Sequence, residues 1–327
     1  MTRSLSRATA VLILTALLVP LARPQESSIA GGDAAPAQDR GVLAGHEFIP
    51  SSFIRDPFVR TFFRTGLGFG STPNPVSPLV TVNGKPLVGL RGRLLFALLD
   101  VEYQYALRAW LAVRGRVNAI GRMADETSTL IAQGITLISA FELGWLLKVA
   151  ESERFLASGS LGFKNFSTTD VNLQRFIDGI IEAGEILPGN RILLSTPILR
   201  GTAGIQGAYV LSHLTGVSFM GNLDYGESRD AGEPDGWYYS VSVAFDFNLH
   251  SRNGVPVGFV VGGRTASGPE VQGADNRTAQ TIFGRIAYTG SEAFALGLDL
   301  GYEFIPIRSM PEKEEFLSAV LDIRLFF

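Results

Sequence analysis

The last twelve residues of the chain place strict limits on its fold. In residues 316–327 one set of alternate positions is wholly apolar, while the other set mixes apolar and polar side chains. A period of two indicates a β-strand, because successive side chains of a strand point to opposite faces. A face without a polar residue is what contact with lipid requires. The apolar set is Leu317, Ala319, Leu321, Ile323, Leu325 and Phe327.

The same alternation recurs along most of the chain. It marks about twelve segments, which is an even number, as expected for a bacterial barrel that spans the membrane with antiparallel strands. The segments lie near residues 56–72, 91–105, 109–121, 136–149, 153–166, 194–211, 215–228, 236–248, 255–266, 279–289, 293–306 and 314–327.

The connections between these segments alternate in length, and aromatic residues mark both ends of the strands. Short turns near 106–108 and 212–214 are interleaved with longer polar stretches near 122–135 and 167–193. Outward aromatics such as Trp145 lie toward the short turns, and others such as Trp237 lie toward the long loops. Aromatic side chains prefer the two membrane interfaces, so this banding predicts strands that cross a bilayer.

The start of the chain predicts export. Arg3 and Arg7 precede an apolar stretch at residues 8–22, which is the outline of a signal peptide cleaved after Ala22, with an uncleaved anchor as the alternative. Residues 23–55 are interpreted as a flexible N-terminal lead-in, since Gly and Pro recur there. Residues 56–327 then form the transmembrane β-barrel.

Together these features resemble the bacterial outer-membrane β-barrel class, with about twelve strands and a C-terminal Phe327. The fold class expected is therefore all-β, a closed antiparallel transmembrane barrel. The resemblance implies residence in the outer membrane after export to the periplasm, with lipid around the barrel. It also implies that periplasmic chaperones and the barrel assembly machinery act during biogenesis, the latter reading the terminal aromatic residue.

A soluble β-sandwich or soluble barrel is the structural alternative, since those folds also alternate. Their polar faces carry many charges, whereas only 18% of this chain is charged and the mean hydropathy is +0.21. A helical membrane protein is disfavoured because no charge-free apolar run of about 18 residues follows residue 22. Composition therefore favours the membrane barrel.

Composition also excludes several function classes. The absence of Cys rules out thiolate metal sites, iron–sulfur clusters and thiol catalysis, and a net charge of −3 gives no indication of nucleic acid. No cofactor and no metal site is expected. The three histidines lie in the lead-in, at His46, and in or beside tight turns, at His213 and His250, so catalysis is not expected, and a lipase-type activity is a minor alternative.

Strand parity assigns a set of charged side chains to the inside of the barrel. Acids and bases are nearly balanced among them, and Asp100 or Glu102 can pair with Arg114 or Arg116 on the next strand. Two interpretations stay open: a salt-bridged interior that holds the barrel together, and a conducting lumen lined by both signs. The lumen-lining candidates are Asp100, Glu102, Arg114, Arg116, Glu142, Lys148, Arg200, Arg285, Asp299, Glu303, Asp322 and Arg324.

The longest predicted loop carries a helical pattern. Apolar residues recur at helical spacing over residues 170–183, which predicts a short amphipathic helix. This helix either narrows the barrel mouth, lies at the outer rim against lipid, or is poorly ordered. The residues of the apolar face are Leu173, Phe176, Ile177, Ile180 and Ile181.

The resulting hypothesis is a porin-like outer-membrane protein that acts as a passive channel or uptake protein for an unidentified small solute. The alternative is a closed structural or surface-binding barrel without transport.

Overall fold

The computed structural model describes residues 41–72, 76–82, 85–91, 94–124, 135–171, 193–228, 235–250, 254–267, 278–306 and 313–327. The strands in these residues are β1 (Val42–Leu43), β2 (His46–Glu47), β3 (Phe62–Thr72), β4 (Val76–Val82), β5 (Lys85–Arg91), β6 (Leu94–Arg108), β7 (Leu111–Ala124), β8 (Ile135–Glu151), β9 (Phe155–Val171), β10 (Leu193–Ser212), β11 (Thr215–Gly226), β12 (Gly236–Asn248), β13 (Val257–Ala266), β14 (Ala279–Tyr288), β15 (Phe294–Pro306) and β16 (Lys313–Phe326). No helix in the described part of the chain is long and apolar enough to span a membrane.

Twelve of these strands, β3 and β6 through β16, form one closed antiparallel barrel. Sequential strands are neighbours, and the ring closes where β16 pairs with β3, with Leu321 opposite Leu67. The expectation of a closed antiparallel barrel is confirmed. Two short hairpins are additional: β1 pairs with β2 ahead of the barrel, and β4 pairs with β5 between the first two barrel strands.

Side chains alternate sharply between the two faces of the wall. In β12 the outward residues from Trp237 to Phe247 are large and apolar, and these two are 66% and 40% exposed. The inward residues, which alternate with these from Tyr238 to Asn248, are buried. A row of exposed Trp, Tyr, Val and Phe is stable only where lipid covers it, so this pattern excludes the two-sheet soluble alternative.

The barrel has a short-turn end and a loop end. The connections at Ala109–Trp110 and His213–Leu214 are tight turns, and β3 begins and β16 ends on this same side. The opposite ends of the strands, such as the end of β9 at Val171 and the start of β10 at Leu193, lie on the other side. In outer-membrane barrels the short turns face the periplasm, so we refer to the short-turn end as periplasmic.

Residues 41–61, named the lumen segment here, lie inside the barrel. This corrects the expectation of a flexible lead-in for residues 41–55, because many side chains of the segment are buried inside the barrel, among them His46, Phe48, Ile49, Ser51 and Ile54. It also moves the start of the first barrel strand from residue 56 to Phe62. The expectation was wrong because the segment, although largely irregular in backbone, is held by inward side chains of strands that are distant in the sequence.

Candidate functional site

The lumen segment enters at the periplasmic end of the barrel. The Nε2 atom of His46 lies 2.8 Å from Oδ1 of Asp246 on β12, and its Nδ1 atom lies 3.2 Å from the carbonyl oxygen of His213. The backbone N–H of Ile49 donates to the other oxygen of Asp246 at 2.6 Å. One buried carboxylate thus fixes the first part of the segment.

The middle of the segment reaches the charged centre of the lumen. Ser51 donates to Asp299 on β15 at 3.0 Å. Arg55 lies 2.5 Å from Glu142 on β8. The segment therefore contacts opposite parts of the barrel wall through side chains that belong to strands far apart in the ring.

The segment then returns to the periplasmic end. Ser158 donates to the carbonyl oxygen of Pro57 at 2.6 Å, and the amide of Gln104 donates to the carbonyl oxygens of Phe58 and Arg60, both at 2.9 Å. Irregular backbone inside a membrane barrel requires such partners, because an unsatisfied peptide group is unfavourable away from water. Inward polar side chains of the wall supply them.

Glycines on the inner wall make room for the apolar side chains of the segment. A Cβ atom added at Gly258 would overlap Ile49, and one added at Gly216 would overlap Phe48. Phe53 stacks on Phe283 of β14 with 4.9 Å between ring centroids. The segment is therefore held by close packing as well as by charge.

A belt of ion pairs crosses the inner wall from β14 to β8. Arg64 lies at its centre, since its guanidinium is 2.9 Å from Asp100 and 3.2 Å from Glu102 and also contacts Asp322. Because each carboxylate is held by a cation on a neighbouring strand, the belt links β14 through β16 to β3 and to β6 through β8. The other pairs are Arg114–Glu142 at 2.8 Å, Arg116–Asp100 at 2.8 Å, Arg285–Asp299 at 2.6 Å and Arg285–Asp322 at 2.7 Å.

The structure places the lumen-lining candidates as follows. Arg116 and Glu303 are half-buried and border the cavity described below. Lys148 lies near the periplasmic end, where it pairs with Glu151 at 2.8 Å. The remaining candidates are buried inside the barrel: Asp100, Glu102, Arg114, Glu142, Arg200, Arg285, Asp299, Asp322 and Arg324.

The predicted loop helix lies outside the described residues, as do its apolar residues Leu173, Phe176, Ile177, Ile180 and Ile181. Its role as a constriction stays a prediction. Within the described residues the lumen segment is what narrows the barrel.

Above the lumen segment lies a cavity of about 350 Å³. Residues 51–56 form its floor, and inward side chains of the loop half form its walls. Phe96, Ile138 and Phe166 give one part of the wall an apolar surface, while Arg200 and Arg264 contribute cations. The cavity thus joins the loop end of the barrel to the middle of the lumen, and the segment closes it below.

Two neighbouring charges at the tip of the segment have opposite energetic roles. Burial lowers the pKa of Arg55 to about 10, and Arg114 adds to this, although Glu142 opposes it. Burial alone would raise the pKa of Asp56, but Arg60 and Arg324 outweigh it and hold that pKa below its ordinary value of 3.8. Docking therefore favours the charge of Asp56 and disfavours the charge of Arg55.

We expect Asp56→Asn to loosen the lumen segment and Arg55→Met to leave it docked or tighter. The first change removes a charged partner of Arg324, which lies 2.8 Å away, so about 1.5–3 kcal/mol of docking free energy is lost. The measurement is the rate at which a maleimide labels Ile54→Cys, a buried position in a chain that has no native cysteine. Equal labelling rates in both charge variants would contradict this assignment.

His46 offers no free base. Both ring nitrogens of His46 face oxygen acceptors, on Asp246 and on the His213 backbone. A nucleophile needs a base whose ring nitrogen is available to it. His46 therefore serves as an anchor of the lumen segment.

Solved outer-membrane barrels resemble this structure. The COG4313 outer membrane channel from Pseudomonas putida F1 matches with a TM-score of 0.50 and 13% sequence identity, covering 86% of this chain and 100% of that chain. The chain has the fold of a bacterial outer-membrane β-barrel. The barrel, with its apolar outer surface, lies in the bacterial outer membrane.

Other barrels match less well. The translocator domain of autotransporter NalP from Neisseria meningitidis gives a TM-score of 0.48 at 7% identity, covering 84% of this chain and 91% of that one. The KdgM porin gives 0.40 at 6% identity, covering 80% and 99%. No protein-family model matches the chain, and no curated protein matches its sequence.

The sequence does not reveal the lumen segment, although Glu142, Asp299 and Arg324, which contact it, are predicted to line the lumen. His46 and Arg55 lie in a stretch without periodicity, so no strand or helix pattern marks them, while Asp56 falls at the start of a predicted strand. The inner wall of the barrel does carry a sequence signal for the lumen segment. Inward positions such as Gly216 and Gly258 lack side chains, which leaves room in the lumen for another part of the chain.

Proposed function

We propose that this protein is a passive outer-membrane channel for small solutes, and that the lumen segment closes it in the state described here. One observation carries the proposal. The segment that fills the periplasmic half of the lumen is not part of the wall, because β1 pairs only with β2 in the described residues, and its links to the barrel are mainly side-chain contacts. Such a closure can be displaced without breaking the barrel's own strand pairing.

The lining supports passage of polar solutes once the segment moves. The inner wall carries paired charges of both signs, including Arg114 with Glu142 and Lys164 with Asp224. A twelve-stranded barrel encloses more space than its own side chains fill, so removal of the segment leaves a wetted lumen. Because the charges are paired, we expect modest ion selectivity.

A closed structural or surface-binding barrel is the second candidate function. It is favoured by the number of separate anchors on the segment, from His46 on Asp246 to Ser51 on Asp299. We assign no catalytic activity. Outer-membrane lipid, periplasmic chaperones and the barrel assembly machinery are the partners proposed for either candidate.

A reversible cross-link tests the channel proposal. A Cβ atom at Gly258 would lie 3.2 Å from Cγ1 of Ile49, so cysteines at these two positions are close enough for a disulfide. In Ile49→Cys/Gly258→Cys the oxidised protein is expected to show no openings in planar bilayers. Reduction with dithiothreitol is expected to restore the openings of the parent protein.

The single variant Ile49→Cys and the double variant Ile49→Ala/Gly258→Cys are the controls, because neither can form the bond and neither places a Cβ atom against the Ile49 side chain. Their openings are expected not to respond to oxidant. A parent protein that never opens at any voltage, together with a reduced double variant that never opens, would favour the closed barrel.

A further inference from the structure

We infer that the cavity above the lumen segment is a binding site for small carboxylates that carry an apolar body, such as a single ring. The further statement that such carboxylates are the solutes that pass through the barrel rests on the proposed function. Binding in the cavity does not, because the cavity is present while the segment is docked.

Two guanidinium groups at the cavity have no carboxylate partner in the described part of the chain. They belong to Arg200 on β10 and Arg264 on β13. Other cations at the cavity are paired with carboxylates: Arg116 lies 2.8 Å from Asp100, and Lys164 is paired with Asp224. The two unpaired groups flank β12, since Arg264 is opposite Ser242 and Arg200 reaches the β12 residue Tyr238.

Arg200 is held in one orientation before any ligand arrives. It is 3% exposed, and its Cζ atom lies 3.5 Å from the ring centroid of Tyr238. Its Nε atom donates to the carbonyl oxygen of Glu227 at 3.1 Å. These contacts occupy one face of the guanidinium group and its Nε atom. The two terminal nitrogens are left for an anion. A guanidinium fixed in this way binds carboxylate with little loss of side-chain freedom.

Arg264 carries an unmet hydrogen-bonding requirement. Its Nε atom is buried and has no hydrogen-bond partner among the described residues. A buried charged donor without a partner is unfavourable, and an anion in the cavity would relieve this.

The carboxylates of the cavity do not satisfy these two groups, because each already has a partner. Asp224 pairs with Lys164 at 2.5 Å, and Glu142 is shared by Arg55 and Arg114. Glu303 also has a partner. An excess of positive charge therefore remains at Arg200 and Arg264, and its natural complement is an anion from outside.

The apolar wall decides which anion fits. Phe96, Ile138, Phe166 and Met220 line the same cavity. A fully hydrated inorganic anion gains nothing from this wall, whereas a ring or short alkyl body is removed from water by it. A cavity of about 350 Å³ is at the small end of ligand sites, so it suits a single-ring compound.

Calorimetry on the full-length protein in detergent micelles tests the site, with benzoate, benzamide and acetate as ligands. Benzoate is expected to bind about tenfold more tightly than benzamide, because only the anion makes charge-assisted hydrogen bonds to the guanidinium groups. Acetate, which lacks the ring, is expected to bind more weakly than benzoate. The variant Arg200→Gln/Arg264→Gln is expected to lose the preference for benzoate over benzamide.

Arg154→Gln is the matched control, since Arg154 is exposed at a periplasmic turn and its loss should leave benzoate binding unchanged. Equal binding of benzoate and benzamide would overturn the inference, as would undiminished benzoate binding by the double variant. If benzoate binds as expected but neither the parent protein nor the reduced double-cysteine variant ever opens, the channel proposal fails and the binding site stands. If the protein opens but does not bind benzoate, the binding site fails and the channel proposal stands.

Discussion

Deletion of residues 41–58 is expected to convert the barrel into a permanently open pore. The deletion removes the anchors at His46 and Ser51 and the side chains of Phe48 and Ile49, which pack against Gly216 and Gly258. The strand ladder does not include these residues, so the barrel should still close between β16 and β3. We expect the conductance of a single pore to rise by about an order of magnitude or more over the parent, as the lumen fills with water.

The measurement is single-channel recording in planar bilayers, with the heat-dependent gel mobility of the folded barrel as a check on assembly. A variant in which residues 41–58 are replaced by a Gly-Ser repeat of equal length is the matched control. It keeps the chain length but loses the contacts, so it should also conduct. Background current from both variants, in barrels shown to be folded, would rule out the lumen segment as the closure.

Replacement of Arg285 by Met is expected to destabilise the barrel by about 3 kcal/mol, the lower part of the range for breaking a buried ion pair. Arg285 is fully buried, and its two terminal nitrogens lie 2.6 Å from Asp299 and 2.7 Å from Asp322. Removing it leaves two buried carboxylates short of a cation. The loss is at the lower part of the range because Arg64 still contacts Asp322 and Ser51 still donates to Asp299.

Urea unfolding of the barrel in lipid vesicles measures this change. Arg154→Met, at an exposed turn, is the control and should alter the free energy of unfolding by no more than about 0.5 kcal/mol. Adding Asp299→Asn to Arg285→Met should recover part of the loss, because one of the uncompensated charges is then gone. A single variant as stable as the parent would show that the belt does not hold the strands together.

Parts of the site follow directly from strand parity. Asp299 opposite Arg285 can be predicted once adjacent strands are aligned, and so can Asp100 as the diagonal neighbour of Arg116, which lies opposite Glu102. Direct and diagonal cross-strand neighbours in an antiparallel pair are within reach of long side chains. Arg64 could not be placed in the same way. Its three carboxylate partners lie on two strands, one of which, β16, is at the opposite end of the barrel sequence and becomes a neighbour only when the barrel closes.

The sequence by itself determined the strand pattern and the lipid-facing surface, because a period of two with one apolar face is a local property that each barrel strand displays. The closed antiparallel barrel and its place in the outer membrane followed from the resemblance of that pattern to the outer-membrane barrel class. Only the tertiary structure decided what lies inside. Residues 41–55 have no periodicity of their own, and the position of the lumen segment depends on Asp246, Asp299 and Arg324, which the chain reaches only after the ring has closed. Contacts of such large sequence separation leave no repeating trace in a single sequence, and for that reason the closure of the lumen is visible only in the folded molecule.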